Sequence, residues 1–363
     1  MAWRSTSRGV LLLLLLLGPV VAGCRGEQSP KHSQKVPRRI IALTPSVTET
    51  LFALGLGDRV VGVGDYSRWP AEAVRKPRLG ALFNPNLERI VSLKPDLAVL
   101  IPSERGLGTK LKPLGVDVLV VPDESLADVE ASFRIIARRC GVPEAGQRLL
   151  AEWRAGLNLP PLSGPPPRVL ISVGRRSGQL GEVTVAGPKT FLDELLQRLG
   201  AQNVFADAPT LYPQIGLEEI VARKPDVILE LRADPLTPDA VAATVADWQA
   251  LPEVPAVRLG RVKVIAGDHV LIPGPRIPQF YREMRAALLP SRRAGLGALL
   301  TSERPRPKTL TPGPSPAPSP PPTPGEGNPV GAVLLFSFFS RCGGWEGAGE
   351  EGWGDEGLGR GTE

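Results

Sequence analysis

Leu87-Glu88-Arg89-Ile90-Val91-Ser92-Leu93-Lys94-Pro95-Asp96 returns in the second half of the chain as Leu217-Glu218-Glu219-Ile220-Val221-Ala222-Arg223-Lys224-Pro225-Asp226, identical at seven of ten positions. Each copy is a helix-like stretch that runs into an apolar segment, Leu97–Ile101 in the first case and Val227–Leu231 in the second. Such short apolar runs after a turn signal read as buried strands. Upstream of each copy, Leu54-Gly55 and Leu199-Gly200 close an earlier helix. Two matched blocks in the same order describe a pair of similar lobes.

Outward from these blocks the first lobe takes shape. Ile40-Ile41-Ala42-Leu43 is a strand ending at Thr44-Pro45, and Ser46-Val47-Thr48-Glu49 fits a capping box. Leu51, Phe52 and Leu54 give the following helix its apolar face, and Gly55 its stop. Val60–Val63 and Val116–Val121 are further strands. Strand and helix in alternation predict a parallel α/β sheet. The second lobe repeats the pattern with strands Val169–Val173, Val227–Leu231 and Val262–Ile265 and a helix Thr190–Leu199 stopped by Gly200.

Between the lobes, Leu126–Leu157 is the longest helix-rich stretch. Val129, Phe133, Ile136 and Ala137 recur at helical spacing; Cys140-Gly141-Val142-Pro143 breaks the run; Leu149, Leu150, Trp153 and Leu157 line a second helix. Pro160-Pro161 and Pro165-Pro166-Pro167 end it. Cys140, at the end of an apolar face, reads as a packed thiol, and Trp153 and Trp248 as packing residues.

The ends differ from this body. Arg4 and Arg8, the apolar run Val10–Leu17 and Val21-Ala22-Gly23-Cys24 make a secretory signal over 1–23, with a lipobox-like end that would acylate Cys24. Residues 24–38 are a polar tether. The lobes and connector are placed at 39–124, 125–164 and 165–290. The chain holds 40 Gly and 40 Pro, and in 291–363 the stretch Thr311–Pro324 lacks the apolar surface to fold, so the tail is expected to be disordered.

Composition narrows the chemistry. Two His exclude a His-rich metal site, and three scattered Cys give neither a disulfide framework nor a metal knuckle. A net charge of +6 without a basic stripe argues against nucleic acid. No G-x-S-x-G elbow, H-E-x-x-H or Walker motif occurs, and Gly62-Val63-Gly64 lacks the third glycine of a dinucleotide fingerprint. A two-lobed chain without catalytic motifs favours a small ligand held in a cleft.

The segments Leu43–Glu49, Asn86–Ile90 with Lys94-Pro95-Asp96, and Pro273-Gly274-Pro275-Arg276 resemble the periplasmic substrate-binding proteins of cobalamin and iron-chelate ABC importers, most nearly the cobalamin-binding branch. The resemblance covers about residues 39–290. It implies an α/β fold of two Rossmann-like lobes with parallel sheets joined by a long bridging helix, which limits the lobes to small movements. It implies a non-enzymatic, monomeric receptor with no intrinsic cofactor, anchored outside the cytoplasm by lipid on Cys24. The ligand would be cobalamin or a related corrinoid, and the partner an ABC importer made of a permease dimer with its ATPase.

By the same resemblance Glu88 and Glu218 match the acids that dock each lobe on the permease, and Tyr66 and Tyr212 match aromatic ligand contacts. Two positions that are Trp in the cobalamin branch are Leu82 and Pro102 here, so a haem or iron–siderophore ligand stays open. Arg175 and Arg176, following a strand, are candidates for pairing with ligand carboxylates. His269 reads as a satisfied loop histidine. A tetrapyrrole metal chelatase on a similar scaffold is the enzymatic rival, disfavoured by the lipobox and by the lack of a His or carboxylate cluster.

Overall fold

A computed structural model describes residues 35–289, apart from Phe83. The signal segment, Cys24 and the tail 291–363 lie outside the described residues. Among the described residues no helix is long and apolar enough to cross a membrane.

The first lobe runs β1 (Ile40–Ala42), α1 (Pro45–Ala53), β2 (Val60–Val63), α2 (Ala71–Val74), a hairpin of β3 (Gly80–Ala81) and β4 (Asn84–Pro85), α3 (Leu87–Ser92), β5 (Leu97–Leu100), α4 (Arg105–Leu111) and β6 (Asp117–Val120). Its sheet has the order β2-β1-β5-β6, and all three of its pairings are parallel. Side chains alternate across a strand, so a parallel sheet covered on both faces must be apolar at every position. Ile40, Ala42, Leu97 and Val99 face a core that includes Val47 and Leu51 of α1. Ile41, Ala98 and Leu100 face the opposite core, with Ile90, Leu107 and Leu111.

In the second lobe the order is β7 (Arg168–Gly174), β8 (Val183–Val185), α7 (Phe191–Arg198), β9 (Gln202–Asn203), β10 (Gln214–Ile215), α8 (Leu217–Arg223), β11 (Val227–Arg232), α9 (Pro238–Asp247), α10 (Pro255–Arg258), β12 (Val262–Ala266) and α11 (Ile277–Leu288). Parallel pairings β9-β7, β7-β11 and β11-β12 reproduce the first sheet. The antiparallel strands β8 and β10 add an edge without a counterpart in the first sheet, which makes this one mixed.

The repeated phrase is one structural device built twice. Lys94 and Lys224 both take φ +46°, a left-handed conformation uncommon outside glycine. The turn delivers Asp96 and Asp226 to the start of the neighbouring strand. Asp96 accepts from the backbone N–H groups of Arg38 and Arg39 at 2.8 and 2.9 Å, and Asp226 accepts from that of Arg168 at 3.0 Å. The arginines reciprocate: Arg39 Nη2 donates to Leu93 O and Arg168 Nη2 to Arg223 O, each at 2.6 Å.

The bridge consists of two helices, α5 (Leu126–Arg139) and α6 (Pro143–Gly156), 14 residues each. A capping box opens α5: Ser125 Oγ accepts from Asp128 N while Asp128 accepts from Ser125 N. Glu194 of α7 accepts from Leu126 N at 2.8 Å and fixes that end to the second lobe. Leu126, Val129 and Phe133 then join the second-lobe core, whereas Ile136, Ala137 and Cys140 join the first. Gly141 at φ +73°, with Val142 N donating to Ala137 O, ends α5, and Pro143 starts α6. α6 returns Leu150, Trp153 and Leu157 to the second core. A Cβ at Gly146 would lie 2.5 Å from Ala137 Cβ, so glycine there lets the helices close. Phe133 meets Trp153 edge-on, centroids 5.9 Å apart, and Glu130 on α5 accepts from Arg154 Nε on α6 at 2.7 Å.

Because Phe133 is fully buried where α5 enters the second core, Phe133→Ala is expected to cost ~3–5 kcal/mol, read as a lower urea midpoint. A loss below ~1 kcal/mol would show that the α5–α6 contact does not hold the lobes.

Candidate functional site between the lobes

Ligands of open α/β sheets bind outside the C-terminal ends of the strands. In the first lobe those ends lead into Thr44–Ser46, Asp65–Trp69 and Ile101–Glu104; in the second they lead into Arg175–Gln179, Ala233-Asp234 and Gly267–Arg276. The two sets of loops meet. Arg68 Nη1 donates to Asp234 Oδ1 at 2.7 Å. Arg276 donates from Nε and Nη2 to the two oxygens of Glu49 at 3.0 and 2.5 Å, and from Nη1 to Asp268 Oδ1 at 2.7 Å. Its guanidinium also lies 5.3 Å from the ring centroid of Trp69, within cation–π range. The C-terminal ends of the two sheets therefore face each other across a cleft, with the loop Asp65–Trp69 at its edge.

Several contacts fix that loop. A Cβ at Gly64 would fall 1.8 Å from Leu43 O, so only glycine permits the approach of the strand ends. Arg78 Nη1 donates to Gly64 O and Ser67 O, and the hydroxyls of Ser67 and Thr48 are 2.9 Å apart. Tyr66 is half-buried on this loop, and Trp69 is 48% exposed. Beside Trp69 a depression of about 470 Å³ is lined by Glu49, Phe52, Asp58, Glu72, Lys76 and Pro275.

Glu49 corrects a reading made above. Pro45, not Ser46, opens α1, with Thr44 as N-cap, so Ser46 lies inside the helix and the capping box does not form. Glu49 is instead 3% exposed and held by Arg276. Burial pushes its carboxyl up to about 7, against the pull of Arg276.

Two of the expected ligand contacts occupy the interior of the second lobe. Tyr212 is 4% exposed and packs in its core, which leaves no ring face for a macrocycle. Arg175 has a fully buried side chain 3.0 Å from Glu230 and 2.8 Å from Asp247, and stacks on Trp248 at 5.6 Å. A guanidinium enclosed this way is committed to the fold. Burial raises the Glu230 carboxyl, opposed by Arg175 and Arg232. Arg175 also donates to Arg176 O, and Gly178 N to Asp247, so the network shapes the loop that carries the exposed Arg176.

Glu88 and Glu218 are both exposed, each in the first turn of its short helix, α3 or α8. Asn86 caps α3 by accepting from Arg89 N, whereas Gly216 precedes α8 without a side-chain cap. His269 is buried, with Nε2 2.8 Å from Glu283, and Trp153 donates to Gly274 O. Cys140 is fully buried, which pushes its thiol up to about 11.

A family described as periplasmic binding protein matches residues 40–268, nearly the whole two-lobed body. The chain belongs to that family. Among its relatives, an uncharacterized ABC transporter substrate-binding lipoprotein of Bacillus subtilis is 29% identical, covering 78% of this chain and 97% of its own. A vitamin B12-binding protein of Vibrio parahaemolyticus is 30% identical over 66% of this chain and 84% of its own. The solved structure of a periplasmic heme-binding protein from Roseiflexus superposes with a TM-score of 0.58 at 27% identity, covering 69% of this chain and 97% of that one. Periplasmic binding proteins of this kind hold solutes rather than transform them, and the described residues contain no cluster of three metal-ligating side chains.

One further carboxyl stands at the cleft end of β5. Glu104 is 3% exposed and accepts from Ile101 N at 2.8 Å, and burial pushes it up to about 8. Over the interval between its ordinary value and 8, the folded chain holds a proton that the unfolded chain has released. The contribution of Glu104 to stability is therefore full at low pH and falls as pH rises through that interval, by up to ~1.4 kcal/mol per unit. Urea titrations at several pH values should show the decline in the native chain and a flatter profile in Glu104→Gln. Parallel profiles would contradict the assignment.

Proposed function

We propose that the protein is a lipid-anchored extracytoplasmic receptor that captures cobalamin or a related corrinoid and delivers it to an ABC importer. The carrying observation is the 30% identity with a vitamin B12-binding protein across most of that protein's length. The cleft between two sheets' C-terminal ends is where such a ligand would lie, with Tyr66 offering an aromatic face and the exposed Arg176 a cation. Cys24 would carry the lipid; the lipoprotein relative from Bacillus supports that placement outside the cytoplasm. The structural likeness to a heme-binding protein favours haem as the second reading.

Glu88 and Glu218 are the proposed docking acids. They are exposed, they fall at the same position of the repeated phrase, and one stands on each lobe. One charge-assisted contact per lobe would seat a two-lobed receptor over a two-fold permease.

Calorimetric titration of a Cys24→Ser chain with vitamin B12, haemin and a ferric siderophore tests the ligand. One-to-one binding of vitamin B12 is expected; binding of haemin alone would replace the corrinoid reading. For docking, Glu88→Arg with Glu218→Arg should leave the calorimetric affinity unchanged and abolish ligand uptake by cells. Uptake that survives both reversals would overturn the docking role.

A further inference from the structure

Glu49–Arg276 and Arg68–Asp234 are ion pairs that join the lobes, and they differ in burial and in geometry. Glu49 and Arg276 form a bidentate pair whose side chains are 2% and 13% exposed, and Asp268 and Trp69 enclose the rest of the guanidinium. The segment that carries Arg276 is itself wedged against the bridge. Trp153 of α6 donates to Gly274 O at 3.2 Å, and a Cβ on Gly156 would lie 2.6 Å from Pro278. On its other side a Cβ on Gly274 would lie 3.6 Å from Ser46 Cα on α1, an ordinary van der Waals contact. By contrast, Arg68 Nη1 meets Asp234 Oδ1 at 2.7 Å with side chains 44% and 20% exposed, on the loops that follow β2 and β11.

We propose that Glu49–Arg276 is a permanent fastening on the bridge side of the cleft, and that Arg68–Asp234 is the latch whose opening sets how fast a bound ligand leaves. The assignment rests on the reading that the interlobe cleft holds the ligand. Its physical basis is the difference in exchange with water. A partly exposed pair is screened by water and salt and contributes less than a buried one, so it opens more readily. A buried bidentate pair leaves an uncompensated charge when it parts, so its opening is strongly opposed. Both pairs connect the same two bodies, and the lobes must therefore pivot about the one that stays shut. The pivot lies beside α6, and opening the latch parts the loop that bears Tyr66 from the second lobe. Glu49 and Arg276 act as positioning residues: they set the closed spacing without needing to touch the ligand.

Hydrogen exchange read by mass spectrometry, together with ligand release, separates the two roles. In Arg68→Gln, release of vitamin B12 or haemin from the loaded protein should quicken about two- to fivefold. Exchange should rise over 64–70, while 267–276 stays as protected as in the native chain. In Glu49→Gln, which keeps side-chain volume, exchange over 44–50 and 267–276 should rise at least about a hundredfold. The double variant Glu49→Gln, Arg276→Gln should exchange no faster than the worse of its two singles, because both remove one interaction. Additive singles, or unchanged protection of 267–276 in Glu49→Gln, would overturn the fastening. Unchanged release and unchanged exchange over 64–70 in Arg68→Gln would overturn the latch. Should the native chain bind neither probe, the ligand reading fails, while the exchange data still decide which pair holds the lobes. A Glu49→Gln chain that does not fold is replaced by Arg276→Lys, which keeps the charge but loses the bidentate fork.

Discussion

One apolar face of one helix is divided between two hydrophobic cores. Leu126, Val129 and Phe133 belong to the second lobe and Ile136, Ala137 and Cys140 to the first, although all lie on α5. A 14-residue helix rises about 21 Å, so the division fixes how far apart the cores can stand. Neither lobe can rotate about α5 without withdrawing fully buried side chains from a close-packed interior, where lost contacts are costly. The return of α6, with Trp153 against Phe133 and Arg154 against Glu130, makes the bridge a pair of struts. The cleft inherits its shape from that pair.

The repeat explains why the cleft has two similar walls. In each lobe an arginine at the start of a strand, an aspartate after Lys-Pro and a left-handed lysine lock the strand to the helix that precedes its neighbour. Strand ends on both sides therefore emerge in the same frame, and their loops carry what differs. Asp65–Trp69 in the first lobe offers exposed aromatic surface, whereas Arg175–Gln179 in the second is organised from beneath by a buried arginine–carboxylate network. The second sheet also gains the antiparallel strands β8 and β10, which have no counterpart in the first.

The sequence makes the scaffold legible because strands, helix stops and the Lys-Pro-Asp phrase are local signals. Apolar runs such as Ile40–Leu43 and Val227–Leu231 have the length and bounds of strands, and the break at Cys140–Pro143 marks where α5 ends. Strands of two residues, such as β9 and β10, carry no periodicity and stayed hidden. The site was less legible for a different reason. Glu49 and Arg276 each lie in a segment that the resemblance singles out, yet they are 227 positions apart, and nothing in a chain states which distant partner a charge will meet. Locally, Glu49 three residues after Ser46 has the spacing of a cap; only the start of the helix at Pro45 assigns it elsewhere. Arg175 and Arg176 are adjacent and chemically identical, but in the loop after β7 one turns inward to Glu230 and the other stays at the surface.

A receptor that binds without chemistry has to hold its lobes close enough to enclose a ligand and loosely enough to release it. The proposed docking acids fit that requirement through the bridge. Glu88 and Glu218 sit on short helices whose far ends are locked by the Lys-Pro-Asp turns, so neither can drift relative to its own sheet. Their separation is then set by the struts α5 and α6, and a permease that engaged both would act on two rigid levers joined at one side. Force applied at such levers falls first on the weakest connection between them. On the latch reading that connection is the partly exposed Arg68–Asp234 pair, not the enclosed guanidinium of Arg276. On the proposed reading, pulling on the docking acids would open the cleft at the Tyr66 loop and leave the bridge side shut, which delivers the ligand through one mouth instead of parting the lobes.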